Sequence, residues 1–171
     1  MRGGINMNDS QVLKQFTFWR YRTIQALDAV TEEQADCFPE GFTNTVRWNL
    51  GHILVTAEFA LERFTEMEKS LPGNYTALFK AGTRPEEWVE SPPSLAEIKY
   101  YLLEQINRIK ELEGKLRDPL QHEFSIGSYL ELETIGELLL FLMNHENLHL
   151  GTISGIKRAQ GIKELWKKAS V

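Results

Sequence analysis

The chain has 171 residues, 42% hydrophobic and 25% charged, with a formal net charge of −5. This composition fits one globular domain with a single core, and negative charge without a basic stripe argues against a nucleic-acid partner. The single cysteine, Cys37, excludes an intramolecular disulfide or a paired redox motif and reads as a small apolar residue. No apolar run approaches the roughly 18 residues of a membrane span, and the start Met1-Arg2-Gly3-Gly4-Ile5-Asn6 lacks the apolar segment of a secretory signal, so a cytoplasmic protein is expected.

Four segments carry the helical period, each with a start signal. From about Asp9 to Val30, Leu13, Phe16, Ile24 and Leu27 form a stripe bridged by Trp19 and Arg20, with Asp9 or Ser10 as the N-cap. Residues before Asn8 read as frayed. Thr31-Glu32-Glu33-Gln34 is a capping pattern for a short turn before Pro39 and Gly41. The second long helix runs from Asn44 or Thr45 to about Glu68, burying Val46, Leu50, Ile53, Leu54, Ala57, Leu61 and Phe64, and stops before Leu71-Pro72-Gly73-Asn74. A long connection to Pro93, with Tyr75 and Trp88, is expected to pack over the helices.

Ser94-Leu95-Ala96-Glu97 is a capping box opening a third helix that extends to Leu116. Residues 117–132, with Pro119 and Gly127, read as irregular, and strand signals are nearly absent. Thr134-Ile135-Gly136-Glu137 opens the fourth helix, which ends near Gln160 at Gly161. A short helical tail is expected at Glu164 to Lys168. The cations Lys157, Arg158, Lys163, Lys167 and Lys168 suit the negative end of a helix dipole. Four helices of about 20 residues match an all-α, antiparallel four-helix bundle with a long connection between helices 2 and 3, one domain over residues 1–171.

The chemistry concentrates in His145-Glu146-Asn147-Leu148-His149. Two imidazoles four residues apart on a helix project from one face and can hold one metal ion, as in the H-E-x-x-H motif. Both fall on the fourth helix's buried line, Ile135, Leu138, Leu139, Leu142, His145, His149, Ile153, Ile156. No histidine follows His149, so a third ligand must lie upstream, and His52 in Trp48-Asn49-Leu50-Gly51-His52-Ile53 is in the matching setting. The alternative is three core histidines bonded to ordinary partners. His122 reads as a solvated loop residue. Gly51 and Gly151 flank the proposed site, and each is costly inside a helix unless something approaches closely. Glu146 is a candidate general base for a metal-bound water, or equally an inter-helix ion-pair partner, since it points about 100° from His145. Trp19, Tyr21, Trp48 and Trp88 read either as pocket lining or as core.

Trp48-Asn49-Leu50-Gly51-His52-Ile53, Thr134-Ile135-Gly136-Glu137-Leu138-Leu139, and Asn144-His145-Glu146 with His149-Leu150-Gly151 together resemble the DinB/YfiT-like superfamily of metal-dependent enzymes along essentially the whole chain. The resemblance implies a four-helix bundle, commonly a homodimer, with His52, His145 and His149 as ligands of a divalent metal. Some members are bacillithiol S-transferases or mycothiol-dependent isomerases. The chain departs from common family patterns at Asn49, where a second histidine is frequent, and at Leu150 and Thr152, where polar residues are. The expected function is transferase chemistry with a metal-activated low-molecular-weight thiol. The alternatives are a hydrolase with Glu146 as base and a non-catalytic bundle that binds a metal or small molecule. Zinc is the leading ion, and imidazole also suits nickel, iron or manganese.

Overall fold

The computed structural model describes residues 8–167, so the start before Asn8, expected to be frayed, and Lys168 lie outside the described residues. Helix α1 (Asp9–Leu27) is capped by Asn8, one residue ahead of the expected cap. The Asn8 side chain accepts from Gln11 N, and the Gln11 side chain accepts from Asn8 N. A reciprocal box of this kind satisfies two backbone donors, which a lone Asp9 or Ser10 cap would not. After the short α2 (Glu32–Asp36), capped by Thr31 as its pattern predicts, Thr45 caps α3 (Val46–Phe64).

Helix α3 stops at Phe64, short of Glu68, because Thr65 turns extended and its hydroxyl donates to Leu61 O while accepting from Met67 N. That side chain competes with the next helical turn. The connection after it is not a plain loop. It contains α4 (Gly73–Phe79) and a 3-10 turn (Pro85–Glu87), which bury Tyr75, Leu78 and Phe79. Helix α5 (Leu95–Lys110) starts at the predicted Ser94, although only half of the box forms, because Glu97 Oε1 accepts from Tyr75 Oη instead.

Residues 117–132 correct the sequence reading. They form most of an antiparallel hairpin, β1 (Pro119–Ile126) and β2 (Leu130–Thr134), turning at Gly127 with φ of +56°. Leu130-Glu131-Leu132-Glu133 alternates with period two, a strand signal that the helix-dominated context concealed. Helix α6 (Ile135–Ala159) follows, with Thr134 and Glu137 in a full capping box and Gly161 in the left-handed region at its end. The expected helical tail is absent: residues 162–167 are irregular, and Lys167 N bonds Gln25 O. Lys157 and Arg158 lie in the last turn of α6, as the dipole argument expects, but Lys157 is not at the surface. It is buried, donating to Ala26 O and Leu165 O, and burial lowers its pKa to about 8. Cys37, expected to be packed as an apolar residue, is exposed at the end of α2, whose only buried residue is Ala35.

The four long helices form a ring in which α1 and α3 each pack against both α5 and α6. One core cluster joins the C-terminal halves of α1 and α6 to the N-terminal halves of α3 and α5, with Tyr75, Leu78 and Phe79 of α4. The other joins the opposite halves with Leu132 of the hairpin. Thus α1 and α6 run one way and α3 and α5 the other. This explains the long connection: α3 and α5 are parallel, so residues 65–94 must return along a helix about 28 Å long at 1.5 Å per residue.

A polar chain crosses the core between these clusters. Glu146 accepts from Arg20 and Thr23, Arg20 donates to Gln105 Oε1, and Gln105 Nε2 donates to Glu58, which pairs with Arg108. Among the described residues no buried side-chain nitrogen or oxygen lacks a partner.

Candidate metal centre

Opposed packing of α3 on α6 brings His52 to His145 and His149. Each offers a ring nitrogen, and these atoms lie within 4.8 Å of one another. Ring centroids are 5.1 Å apart for His52 and His145, 4.7 Å for His52 and His149, and 4.6 Å for His145 and His149. Nitrogens bound to one tetrahedral ion at about 2.0–2.1 Å stand about 3.4 Å apart, so small side-chain rotations close the group on a metal.

Hydrogen bonds set which nitrogens are free. His52 Nδ1 lies 2.7 Å from Phe79 O, which can only accept, so Nδ1 carries the proton and Nε2 keeps its lone pair. Asn49 Nδ2 donates to Thr45 O at 2.7 Å, which fixes the amide and turns Oδ1 to His149 Nδ1 at 2.8 Å. His149 therefore also presents Nε2. His145 makes no hydrogen bond among the described residues, and both its nitrogens remain available.

All three rings are kept neutral. Burial lowers the His52 pKa, against the hydrogen bond to Phe79. Burial and then the neighbouring His52 take His145 down to about 4, and burial with His145 and His52 takes His149 to about 3. Neutral imidazole is the form that binds a metal. Three of them leave a divalent ion its charge and an open position, the donor set of catalytic rather than structural zinc. The residues present fit the ion.

The remaining sequence candidates fall as follows. Glu146 is outside the three-histidine group, its carboxylate bonded by Arg20 Nε at 3.0 and 3.1 Å and Thr23 Oγ1 at 2.6 Å. His122 is exposed, on strand β1 rather than a loop. Trp48 stacks on His52 at 4.7 Å with planes 9° apart. Trp88 instead packs on Phe79 and donates to Leu78 O, Trp19 packs against the core clusters, and Tyr21 is exposed.

The two glycines part company. A Cβ at Gly51 would overlap the Phe79 ring, so Gly51 lets α4 approach close enough for Phe79 O to reach His52. At Gly151 a Cβ would meet nothing within 4 Å, so close approach does not explain it. Sequence reading missed three partners of the ligand rings: the Phe79 carbonyl, whose helix α4 was unforeseen, Asn49 on His149, and Thr56, whose hydroxyl lies 3.4 Å from His52 Nε2. Spacing could have flagged the last two, since Asn49 precedes His52 by three residues and Thr56 follows it by four, on one helix face. A groove of about 850 Å³ lies elsewhere, lined by residues that include Met67, Ser70, Arg108, Lys115 and Leu120 and by none of the three histidines.

No curated protein matches the chain. Among solved structures it is similar to a conserved protein from Enterococcus faecalis, with a TM-score of 0.59 and 17% identity over 90% of this chain and 98% of that one, a likeness of fold. The model of the DinB superfamily matches residues 15–153, which take in all three histidines, the whole of α3 and α6 as far as Ile153, and the chain belongs to that superfamily.

Proposed function

We propose that this protein is a divalent-metal-dependent transferase that uses the three-histidine centre to activate a low-molecular-weight thiol, with zinc as the favoured ion, in a four-helix bundle of the DinB kind. The observation that carries the reading is the neutrality of the donor set: three uncharged imidazoles, two of them held by a backbone carbonyl and an asparagine amide instead of carboxylates. A divalent ion held by His52, His145 and His149 would supply uncompensated positive charge that favours the thiolate form of a thiol over its neutral form. In the transfer the sulfur forms a new S–C bond, the leaving group departs with its electron pair, and the thiol proton passes to solvent.

The chain's own residues favour an anion there. Phe79 O and Asn49 Oδ1 aim the Nε2 atoms of His52 and His149, and Trp48 covers the face of the His52 ring. Arg20 neutralises Glu146, so no free carboxylate repels an incoming anion from α6. The hydrolytic alternative would need Glu146 to leave Arg20 and Thr23 before acting as a base, which gives it less support.

The test is a turnover assay of the zinc-loaded protein with a panel of low-molecular-weight thiols and an electrophilic aryl halide, scored as thioether formed. The expected result is saturable, metal-dependent thioether formation abolished by His145→Ala. Ester or amide hydrolysis without thiol, in the absence of thioether formation, would overturn the transferase reading.

A further inference from the structure

Helix α3 carries a second polar group facing the metal ligands. Thr56 stands four residues after His52, hence one turn on along the same face. Its hydroxyl lies 3.4 Å from His52 Nε2, the nitrogen left bare because Nδ1 is committed to Phe79 O. A threonine inside a helix commonly returns its hydroxyl to the carbonyl four residues back. Thr23 and Thr152 do so here, as does the serine Ser154. Thr56 does not: among the described residues its hydroxyl bonds only the His52 ring.

That orientation matters once Nε2 binds a metal. The lone pair that receives the Thr56 proton is then used by the ion, and the half-buried hydroxyl is left as a donor beside the coordination shell. The Phe79 carbonyl and the Asn49 amide already serve the Nδ1 atoms of His52 and His149, and Thr56 bonds neither nitrogen of His145, so its hydroxyl does not act by supporting the far nitrogen of a ligand ring. We propose that Thr56 is a positioning residue that donates its hydrogen bond to the anion occupying the metal's open position, orienting a thiolate for attack. The inference rests on the proposed metal-dependent thiol chemistry and adds the residue that would aim the sulfur.

The test uses the full chain loaded with cobalt(II), whose visible spectrum reports both occupancy and ligation. Wild type, Thr56→Val and Thr56→Ser are titrated with cobalt(II), then with 2-mercaptoethanol and, separately, azide. Valine keeps the branched shape and removes the donor, and circular dichroism checks that each variant is folded. Equal cobalt(II) affinity in all three is expected, with binding of both anions at least about tenfold weaker in Thr56→Val, the loss of a hydrogen bond to a charged acceptor, and restored in Thr56→Ser. Equal anion affinity in wild type and Thr56→Val would overturn the assignment, as would an unfolded Thr56→Val accompanied by a Thr56→Ser with anion affinity reduced as for a lost donor. Weakened azide binding in Thr56→Val, with no thiolate-to-cobalt band even in wild type, would uphold Thr56 and reject the thiol reading. Failure of wild type to bind cobalt(II) would reject both.

Discussion

Replacing Glu146 separates scaffolding from catalysis. Its carboxylate accepts from Arg20 Nε and Thr23 Oγ1, and the Arg20 and Glu146 side chains are 1% and 2% exposed, so the pair has almost no access to water. Glu146→Ala would leave the Arg20 guanidinium buried with two neutral acceptors, Gln105 Oε1 and Leu102 O. Removing one partner of a buried pair costs about 3–5 kcal/mol. Against a total stability of about 5–15 kcal/mol, and about 2–4 °C of Tm per kcal/mol in a domain of this size, Tm should fall by about 6–20 °C. Arg20→Met combined with Glu146→Met removes both charges and should recover most of that loss, since the desolvation penalty goes with them. Thermal unfolding of wild type, the single methionine variants and the double variant gives the coupling directly. A Glu146→Ala melting point within about 2 °C of wild type, with no coupling in the cycle, would refute the scaffold role. Glu146→Gln, assayed well below its Tm, should keep its metal and most of its turnover; a folded, metal-loaded and inactive Glu146→Gln would instead identify a base.

Asn49→Leu deletes the acceptor that orients His149 and should weaken zinc about 10–100-fold in a chelator competition, with unchanged affinity as the contrary result. Gly51→Ala should cost about 1–3 kcal/mol in urea unfolding by pushing on Phe79, whereas Gly151→Ala, facing open space in a helix, should stabilise by up to about 1 kcal/mol; equal effects would contradict the packing argument. Burial pushes the Glu58 pKa up, but hydrogen bonds from Gln105, Arg108 and Ser70 outweigh it and hold the carboxyl below its usual range. A depressed folded pKa gives stability that is present above the unfolded carboxylate value of about 4.3 and lost as pH falls through the folded value. The stability gap between wild type and Glu58→Gln should therefore be widest above pH ~5 and narrow in acid, and a gap independent of pH would count against the ion pair.

The four long helices were legible because their signals are local. Thr31, Thr45, Ser94 and Thr134 cap at the predicted places, and apolar residues at steps of three and four mark the buried faces. His52, His145 and His149 were legible as a pair at i, i+4 plus a third residue on a helix bound to pack nearby. What stayed hidden depends on tertiary structure. Of the hairpin strands β1 and β2 only Leu132 is buried, so the period-two signal at residues 130–133 covers four residues and marks no wide buried face. Direction was hidden too, because whether α5 runs with α3 or against it depends on a connection whose path no local pattern encodes. Phe79 O cannot be read as a partner of His52 from sequence, since every residue has a carbonyl and only the Gly51 contact brings this one near. Arg20 read only as a bridge, with Trp19, across the middle of a buried stripe. In the fold it is wholly buried because Glu146, Gln105 and Leu102 O receive it.

The central claim is that His52, His145 and His149 hold one divalent ion, and elemental analysis of untagged protein purified without chelator tests it most directly. Wild type should carry about one metal per chain, while His52→Ala and His145→Ala lose it and keep their helical circular dichroism. Wild type that is metal-free and stays so after zinc or nickel is added would contradict the account and leave the three histidines as core residues.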